Sequence, residues 1–190
     1  MQPLKIVIIG DGSVGKTSLL ISYTLNRFDH EYLPTIFDTY SCITSLDSQL
    51  YQLSLWDTAG QEEYDALRCL SYKNTDVFII CFSLIDPISF KNIKTKWHPE
   101  LVKNYLDSTP KILVGTKLDL RNDIQTLGAL AEQRRQPITF SQGHALGVEM
   151  DAYEYIECLA IKRIGVEQVF NAAIKSFLAN KKEVKKCIVL

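Results

Sequence analysis

The 190-residue sequence predicts an α/β fold: one domain on a six-stranded, mostly parallel sheet with helices on both faces. Three observations predict it. Short, uniformly apolar runs recur at residues 4–9, 77–83 and 111–116, the pattern of strands covered on both faces. Stretches of helical period alternate with them. The clearest has Val166, Val169, Phe170, Ala173, Ile174, Phe177 and Leu178 at steps of three and four. Composition is that of a globular chain, 46% hydrophobic and 23% charged, with no internal repeat or low-complexity linker to divide it.

In chain order, residues 4–9 (L-K-I-V-I-I) read as the first buried strand, and residues 16–25 as a helix opening behind a glycine-rich turn. Residues 38–46 and 51–57 read as a strand pair, with Asp47-Ser48 turning between them. Residues 77–83 form the fourth strand, followed by a helical stretch over 88–104 that Pro99 should bend. Residues 111–116 are the fifth strand and 153–157 the sixth. Between them, residues 124–136 are helix-prone but weakly amphipathic, which predicts a short exposed helix. The folded domain is expected over residues 1–180, with 181–190 a flexible tail.

The totals exclude several classes. A net charge of −1 gives no broad basic face for nucleic acid; the lysines gather at the C-terminus instead. Cys42, Cys69, Cys81, Cys158 and Cys187 show no paired spacing and read as reduced thiols, not as disulfides or metal ligands. His30, His98 and His144 lie far apart and read as structural or solvent-exposed. The N-terminal apolar run is too short for a signal peptide, Gln2 is incompatible with N-myristoylation, and no stretch approaches membrane-spanning length. Any membrane contact therefore falls to the tail.

Two motifs carry chemistry. Residues 10–17, G-D-G-S-V-G-K-T, stand between the first strand and the first helix and fit G-x-x-x-x-G-K-[ST] in its required setting. Glycines there let backbone N–H groups close round phosphate oxygens, and the following helix points its positive end at the anion. Lys16 can reach the β- and γ-phosphates, and the Thr17 hydroxyl can ligate Mg²⁺. The bland alternative is a glycine-rich turn with an incidental lysine. The second motif, T-K-L-D at residues 116–119, follows the fifth strand. An ionised Asp119 only accepts hydrogen bonds, and guanine offers it two adjacent donors. Adenine presents a bare N1 there and would leave the carboxylate unpaired. Lys117 can lay its stem along the purine face.

With these motifs in place the chain resembles a small GTPase of the Ras superfamily, and within it a Rho/Rac-type member. The likeness covers nearly the whole length. It rests further on E-Y-L-P-T-I-F-D at 31–38, W-D-T-A-G-Q-E at 56–62 and K-W-H-P-E at 96–100. Residues 124–136 (I-Q-T-L-G-A-L-A-E-Q-R-R-Q) sit where Rho-type chains carry an extra helix. The resemblance implies a P-loop G-domain that binds GTP or GDP with Mg²⁺. Nucleotide contacts would come from Gly12, Ser13, Val14, Gly15, Lys16, Thr17, Ser18, Phe28, Tyr32, Thr35, Gly60, Thr116, Lys117, Asp119, Leu159 and Ala160, and metal contacts from Thr17, Thr35 and Asp57. Residues of about 28–40 and 57–70 would change shape with the nucleotide, because Thr35 and Gly60 lose their contacts when the γ-phosphate leaves. Gln61 would orient the attacking water, with Lys16 and Gly12 completing the catalytic set. The first switch holds no arginine, and Arg27 is the nearest upstream, which implies slow hydrolysis completed by a partner's arginine.

The chain also departs from the family pattern. Where E-C-S-A is usual, it carries E-C-L-A, with Leu159 in the serine's place. The Ala160 N–H can still meet the guanine 6-oxygen, but leucine supplies no hydroxyl to tie the loop, so spontaneous exchange is expected to be faster. Ala66 and Cys69 replace the usual arginine and proline of the second switch, and Thr39 a common asparagine.

The tail K-K-E-V-K-K-C-I-V-L fits C-a-a-X, and its final leucine favours a geranylgeranyl group on Cys187. One lipid anchors weakly; Lys181, Lys182, Lys185 and Lys186 can supply the second signal at about 1 kcal/mol each, less a little for Glu183. The resemblance thus implies a lipid-anchored switch on the cytoplasmic side of the cell membrane, with a cytosolic pool. Its partners would be an exchange factor, a GTPase-activating protein, a GDP-dissociation inhibitor and effectors that control actin. T-K-L-D-L-R at 116–121 leans towards Rac. The alternatives are a pseudo-GTPase with impaired cycling, favoured by Leu159, and a P-loop ATPase or kinase, opposed by Lys117 and Asp119.

Overall fold

The structure is a computed structural model that describes residues 1–26, 36–104 and 106–188, with side chains through residue 181. Strand β1 (Gln2–Ile9) lies at the centre of a six-stranded sheet. It pairs in parallel with β3 (Gln49–Thr58) on one side, Ile6 opposite Leu55, and with β4 (Val77–Ser83) on the other, Ile6 opposite Val77. Beyond β4 come β5 (Lys111–Thr116) and β6 (Glu154–Glu157), both parallel. On the opposite edge β2 (Phe37–Leu46) is antiparallel to β3. The order is β2-β3-β1-β4-β5-β6. Asp47 and Ser48 turn the β2–β3 hairpin with φ of 49° and 63°, the pair of left-handed residues that a tight hairpin of this twist requires.

Period-two alternation explains why β1 reads as one apolar run. Ile6 and Ile8 face one core layer, with Leu53, Leu55 and Ile79. Leu19 and Leu20 of α1 (Lys16–Thr24) and the Val166, Val169, Phe170, Ala173, Ile174 and Phe177 stripe of α7 (Val166–Ile188) cover that layer. Val7 and Ile9 face the other, with Phe78, Ile80 and Phe82. There the cover comes from Ile93, Trp97 and Leu101, and from Leu146 and Met150 around α6 (Phe140–Glu149).

The helix expected over 88–104 is three pieces: α3 (Pro87–Asn92), a π turn (Ile93–Trp97) and α4 (His98–Lys103). Pro99 gives the reason. It has no N–H for the Thr95 carbonyl four residues back and its ring crowds that carbonyl, so the turn before it widens. A short α2 (Asp65–Leu70) follows a 3₁₀ turn at Glu62–Tyr64. The segment 124–136 forms α5 (Ile124–Glu132), capped by the Asp123 carboxylate on the Thr126 N–H at 2.8 Å. It stops short of residue 136 because Arg134 turns left-handed, φ 54°. Leu130 is its one buried residue.

At the C-terminus α7 runs to Ile188, past the boundary expected at 180. The apolar stripe ends near Leu178, but N-K-K-E-V-K-K contains neither glycine nor proline and is rich in helix formers. The side chain of Cys187 lies outside the described residues. Cys42, Cys69, Cys81 and Cys158 are free thiols, His98 bonds Asp107 at 3.0 Å, and the His144 ring lies against Phe140. Among the described residues no helix is long and apolar enough to cross a membrane.

Candidate functional site

The loop after β1 and the first turn of α1 enclose a cavity of about 290 Å³ lined by Gly12, Ser13, Gly15, Lys16, Thr17, Ser18, Gly60 and Gln61 among others. Ser13 and Gly15 are left-handed, φ 60° and 101°, which curls the backbone round the cavity. Gly15 caps α1 without a side-chain hydrogen bond, so the positive end of that helix opens on the same space. Lys16 is buried, and its Nζ donates to the carbonyls of Gly10 at 2.8 Å and Asp11 at 2.7 Å. Burial lowers its pKa; the nearby Asp57 carboxylate opposes this. The Thr17 hydroxyl donates to Asp57 Oδ2 at 2.5 Å. A hydroxyl and a carboxylate side by side at a phosphate cradle are the hard oxygen pair that suits Mg²⁺, whose remaining positions go to phosphate and water.

The loop after β3 closes the cavity. The Thr58 hydroxyl donates to the Ile8 carbonyl at 2.7 Å. A Cβ on Gly60 would stand 2.3 Å from Gly12 N and 2.5 Å from the Gly10 carbonyl oxygen, so only glycine lets the two loops meet. Gly60→Ala is therefore expected to destabilise by about 1–3 kcal/mol, read as a lower urea midpoint. Gly128→Ala is the control, since nothing lies within 4 Å of its Cβ position; an equal loss there would remove the argument. At Gly12 a Cβ would lie 3.9 Å from the Gln61 amide, an ordinary contact, so only a side chain larger than alanine would crowd Gln61 from there.

Both loops are held by K-W-H-P-E, a segment whose role the sequence left open. Trp97 Nε1 donates to Asp11 Oδ1 at 2.7 Å and Asn92 Nδ2 to Asp11 Oδ2 at 2.6 Å, which fixes the phosphate loop to the end of α3 and to the π turn. Arg68 of α2 is fully buried and donates to the Ala59 carbonyl at 3.0 Å, to Asp65 at 2.6 Å, and through two nitrogens to Glu100 at 3.1 and 2.7 Å. Its guanidinium lies 4.6 Å from the Trp97 ring centroid. Burial disfavours the Arg68 cation, but Glu100, Tyr72 and Asp65 outweigh this and hold it charged. Burial and the adjacent Glu100 push the Tyr72 phenol up, and its hydroxyl donates to Glu100.

A second cavity, of about 260 Å³, adjoins the first and shares Gly15, Ser18 and Lys117 with it. Thr116, Lys117, Asp119, Leu159 and Ala160 line it. The Thr116 hydroxyl donates to the carbonyls of Val14 and, at 3.0 Å, Phe82, binding the end of β5 to the phosphate loop. Lys117 is left-handed, φ 59°, a strained conformation for a side chain of this length and one that starts the 3₁₀ turn Leu118–Asn122. Burial lowers its pKa against the pull of Asp86 and Asp119. Arg121 grips Glu157 through both terminal nitrogens, one at 2.7 Å, and so fastens that turn to β6. Leu159 is buried and forms a backbone bridge with Ile164, at 2.9 and 3.1 Å.

The sequence-predicted residues thus separate into groups. The phosphate and base sets converge on two joined cavities at the C-terminal ends of β1, β3 and β5. Val14 lines neither; its side chain is in the core and its carbonyl accepts from Thr116. Asp57 is buried and reaches the cradle through Thr17. Phe28, Tyr32 and Thr35 lie outside the described residues, as does the Cys187 side chain. Sequence reasoning missed Arg68, Asp11 and Glu100; the quoted K-W-H-P-E motif was the available signal for the last.

A family model, described as the Ras family, matches residues 5–179, and the chain belongs to that family. It is accordingly a small GTPase: such proteins bind GTP and GDP, typically with Mg²⁺, hydrolyse GTP, and act with regulators and effectors.

Proposed function

We propose that the chain is a Rho/Rac-type switch, anchored by a lipid on Cys187 to the cytoplasmic side of the cell membrane, that cycles between GTP and GDP and signals to effectors controlling actin. The observation that carries the nucleotide part is the pair of abutting cavities, one lined by a cationic, glycine-rich phosphate cradle and the other by Lys117 and Asp119. Rho type is supported by K-W-H-P-E and by a helix over Ile124–Glu132. Anchoring is supported by C-I-V-L and the lysines before it.

In this reading Lys16 holds the β- and γ-phosphate oxygens and Gln61 orients the attacking water. Thr17, Asp57 and Thr35 would hold Mg²⁺, which when bound would neutralise phosphate charge. Gly60, pressed against the phosphate loop, senses the γ-phosphate through its N–H. By the family resemblance Phe28 would cover the base and Tyr32 the phosphates. With no arginine at 28–40, hydrolysis is slow until a GTPase-activating protein supplies one; an exchange factor and a GDP-dissociation inhibitor set the rest of the cycle.

Release of a fluorescent GDP, chased with excess GTP or ATP, tests this. GTP should block rebinding and ATP should not. Single-turnover hydrolysis should stay below about 1 per second without a partner, and Gln61→Leu should keep GTP bound but nearly uncleaved. Absence of nucleotide binding would instead favour a pseudo-GTPase. Leu159→Ser, which restores a hydroxyl in the base loop, should slow GDP release; an unchanged rate would clear Leu159 of any part in exchange.

A further inference from the structure

The base cavity is closed on one side by residues 159–164, a loop tied to itself by the Leu159–Ile164 bridge. Its 3₁₀ turn, Ala160–Lys162, carries no side-chain cap. Among the described residues, one side chain from outside grips it: Ser22 of α1, fully buried, donates its hydroxyl to the Ala160 carbonyl at 2.8 Å, across 138 positions of sequence. The same carbonyl accepts the Arg163 N–H at 3.1 Å.

This bond is not what a helical hydroxyl makes by default. Serine and threonine inside a helix bond the carbonyl four residues back. Thr24, two residues on, does so, to Leu20 at 2.7 Å. Ser22 reaches out of its helix instead, and a buried hydroxyl without such a bond would be costly. Ser22 also lies one turn after Ser18, on the same face of α1, and Ser18 lines both cavities. One helix face therefore runs from the phosphate cradle to the base loop.

We propose that Ser22 is a positioning residue of the guanine pocket: by holding the Ala160 carbonyl it keeps the adjacent Ala160 N–H directed at the 6-oxygen of the base. In a chain with Leu159 where a serine is usual, this hydroxyl from α1 supplies the tie that the loop's own side chain cannot. The role rests on the guanine reading above.

The test is GDP release from the full chain carrying Ser22→Ala, compared with release of 6-thio-GDP, whose sulfur accepts the Ala160 N–H poorly while N1–H and the 2-amino group are kept. Loss of one such hydrogen bond predicts GDP release faster by about three- to tenfold. The wild-type gap between GDP and 6-thio-GDP should shrink by at least half, because the variant has already loosened the group that reads the 6-oxygen. Unchanged GDP release, or equal acceleration of both nucleotides, overturns the proposal, since mere loosening of the fold would not distinguish oxygen from sulfur. If the alanine chain does not fold, Ser22→Cys, similar in size but a poor donor, carries the same comparison. A wild-type chain that holds GDP no better than ADP would overturn the guanine reading itself, and the role of Ser22 with it.

Discussion

Asp119→Asn is expected to weaken GDP binding by about 100- to 10,000-fold and to turn the site towards xanthine nucleotides. In the proposed base pocket the wild-type carboxylate would accept from guanine N1–H and the 2-amino group. Hydrogen bonds to a charged group contribute about 1.5–3 kcal/mol each and a donor left unsatisfied costs about 1–3 kcal/mol; losing one bond, and setting the amide N–H against the 2-amino group, therefore costs about 3–6 kcal/mol, which is that range of affinity. An asparagine offers one acceptor and one donor edge, which matches xanthine: N1–H to the amide oxygen, and the 2-oxygen from the amide nitrogen. The Lys117 stem and the left-handed turn that presents Asp119 are unaffected by the exchange. Competition of GDP and xanthosine diphosphate against a fluorescent nucleotide measures the change. GDP affinity retained within about threefold would mean that the base does not meet Asp119.

Arg68→Ala should cost about 3–5 kcal/mol of folding stability, the penalty for removing one partner of a buried ion pair. Against a total of about 5–15 kcal/mol this is large. The reason is Glu100, whose side chain is 13% exposed and would be left charged beside the Tyr72 phenol. Glu100→Gln added to the arginine variant should therefore recover part of the loss. Arg68→Lys should recover little, because one ammonium cannot span Ala59, Asp65 and Glu100. The Ala59 carbonyl also loses its donor, so the Gly60–Gln61 segment loosens and single-turnover hydrolysis slows. Urea unfolding measures the first effect. A loss under about 1 kcal/mol would show that Glu100 is solvated enough to stand alone.

The parts legible in the sequence are those whose cause is local. β4 and β5 end where their apolar runs end, because uniform burial on both faces leaves no ambiguity of period. The phosphate cradle is contiguous, so its glycines, lysine and threonine announce it directly. What stayed hidden depends on pairs that only the fold brings together. Arg68 and Glu100 are 32 residues apart, Asp11 and Asn92 81, Asp11 and Trp97 86. A lone arginine in D-A-L-R-C-L gives no sign in itself that it will be fully buried among partners. Pro99 announced a bend but not its form, a π turn. α7 continues past residue 180 for a different reason: loss of the apolar stripe marks the end of packing, not the end of the helix.

The layer under α7 has a consequence for synthesis. It joins Leu4, Ile6 and Ile8 of β1 to Val166, Phe170, Ile174 and Phe177, near the two ends of the chain. A ribosome adds about 5–20 residues per second, so β1 waits on the order of ten seconds for its cover to be made. During that interval one face of the nascent sheet presents a continuous apolar surface that belongs to a helix not yet translated. Codon usage, chaperone supply or a premature stop before residue 166 would then decide yield before any nucleotide could bind, and the two ends of the message share control of whether the cleft ever forms.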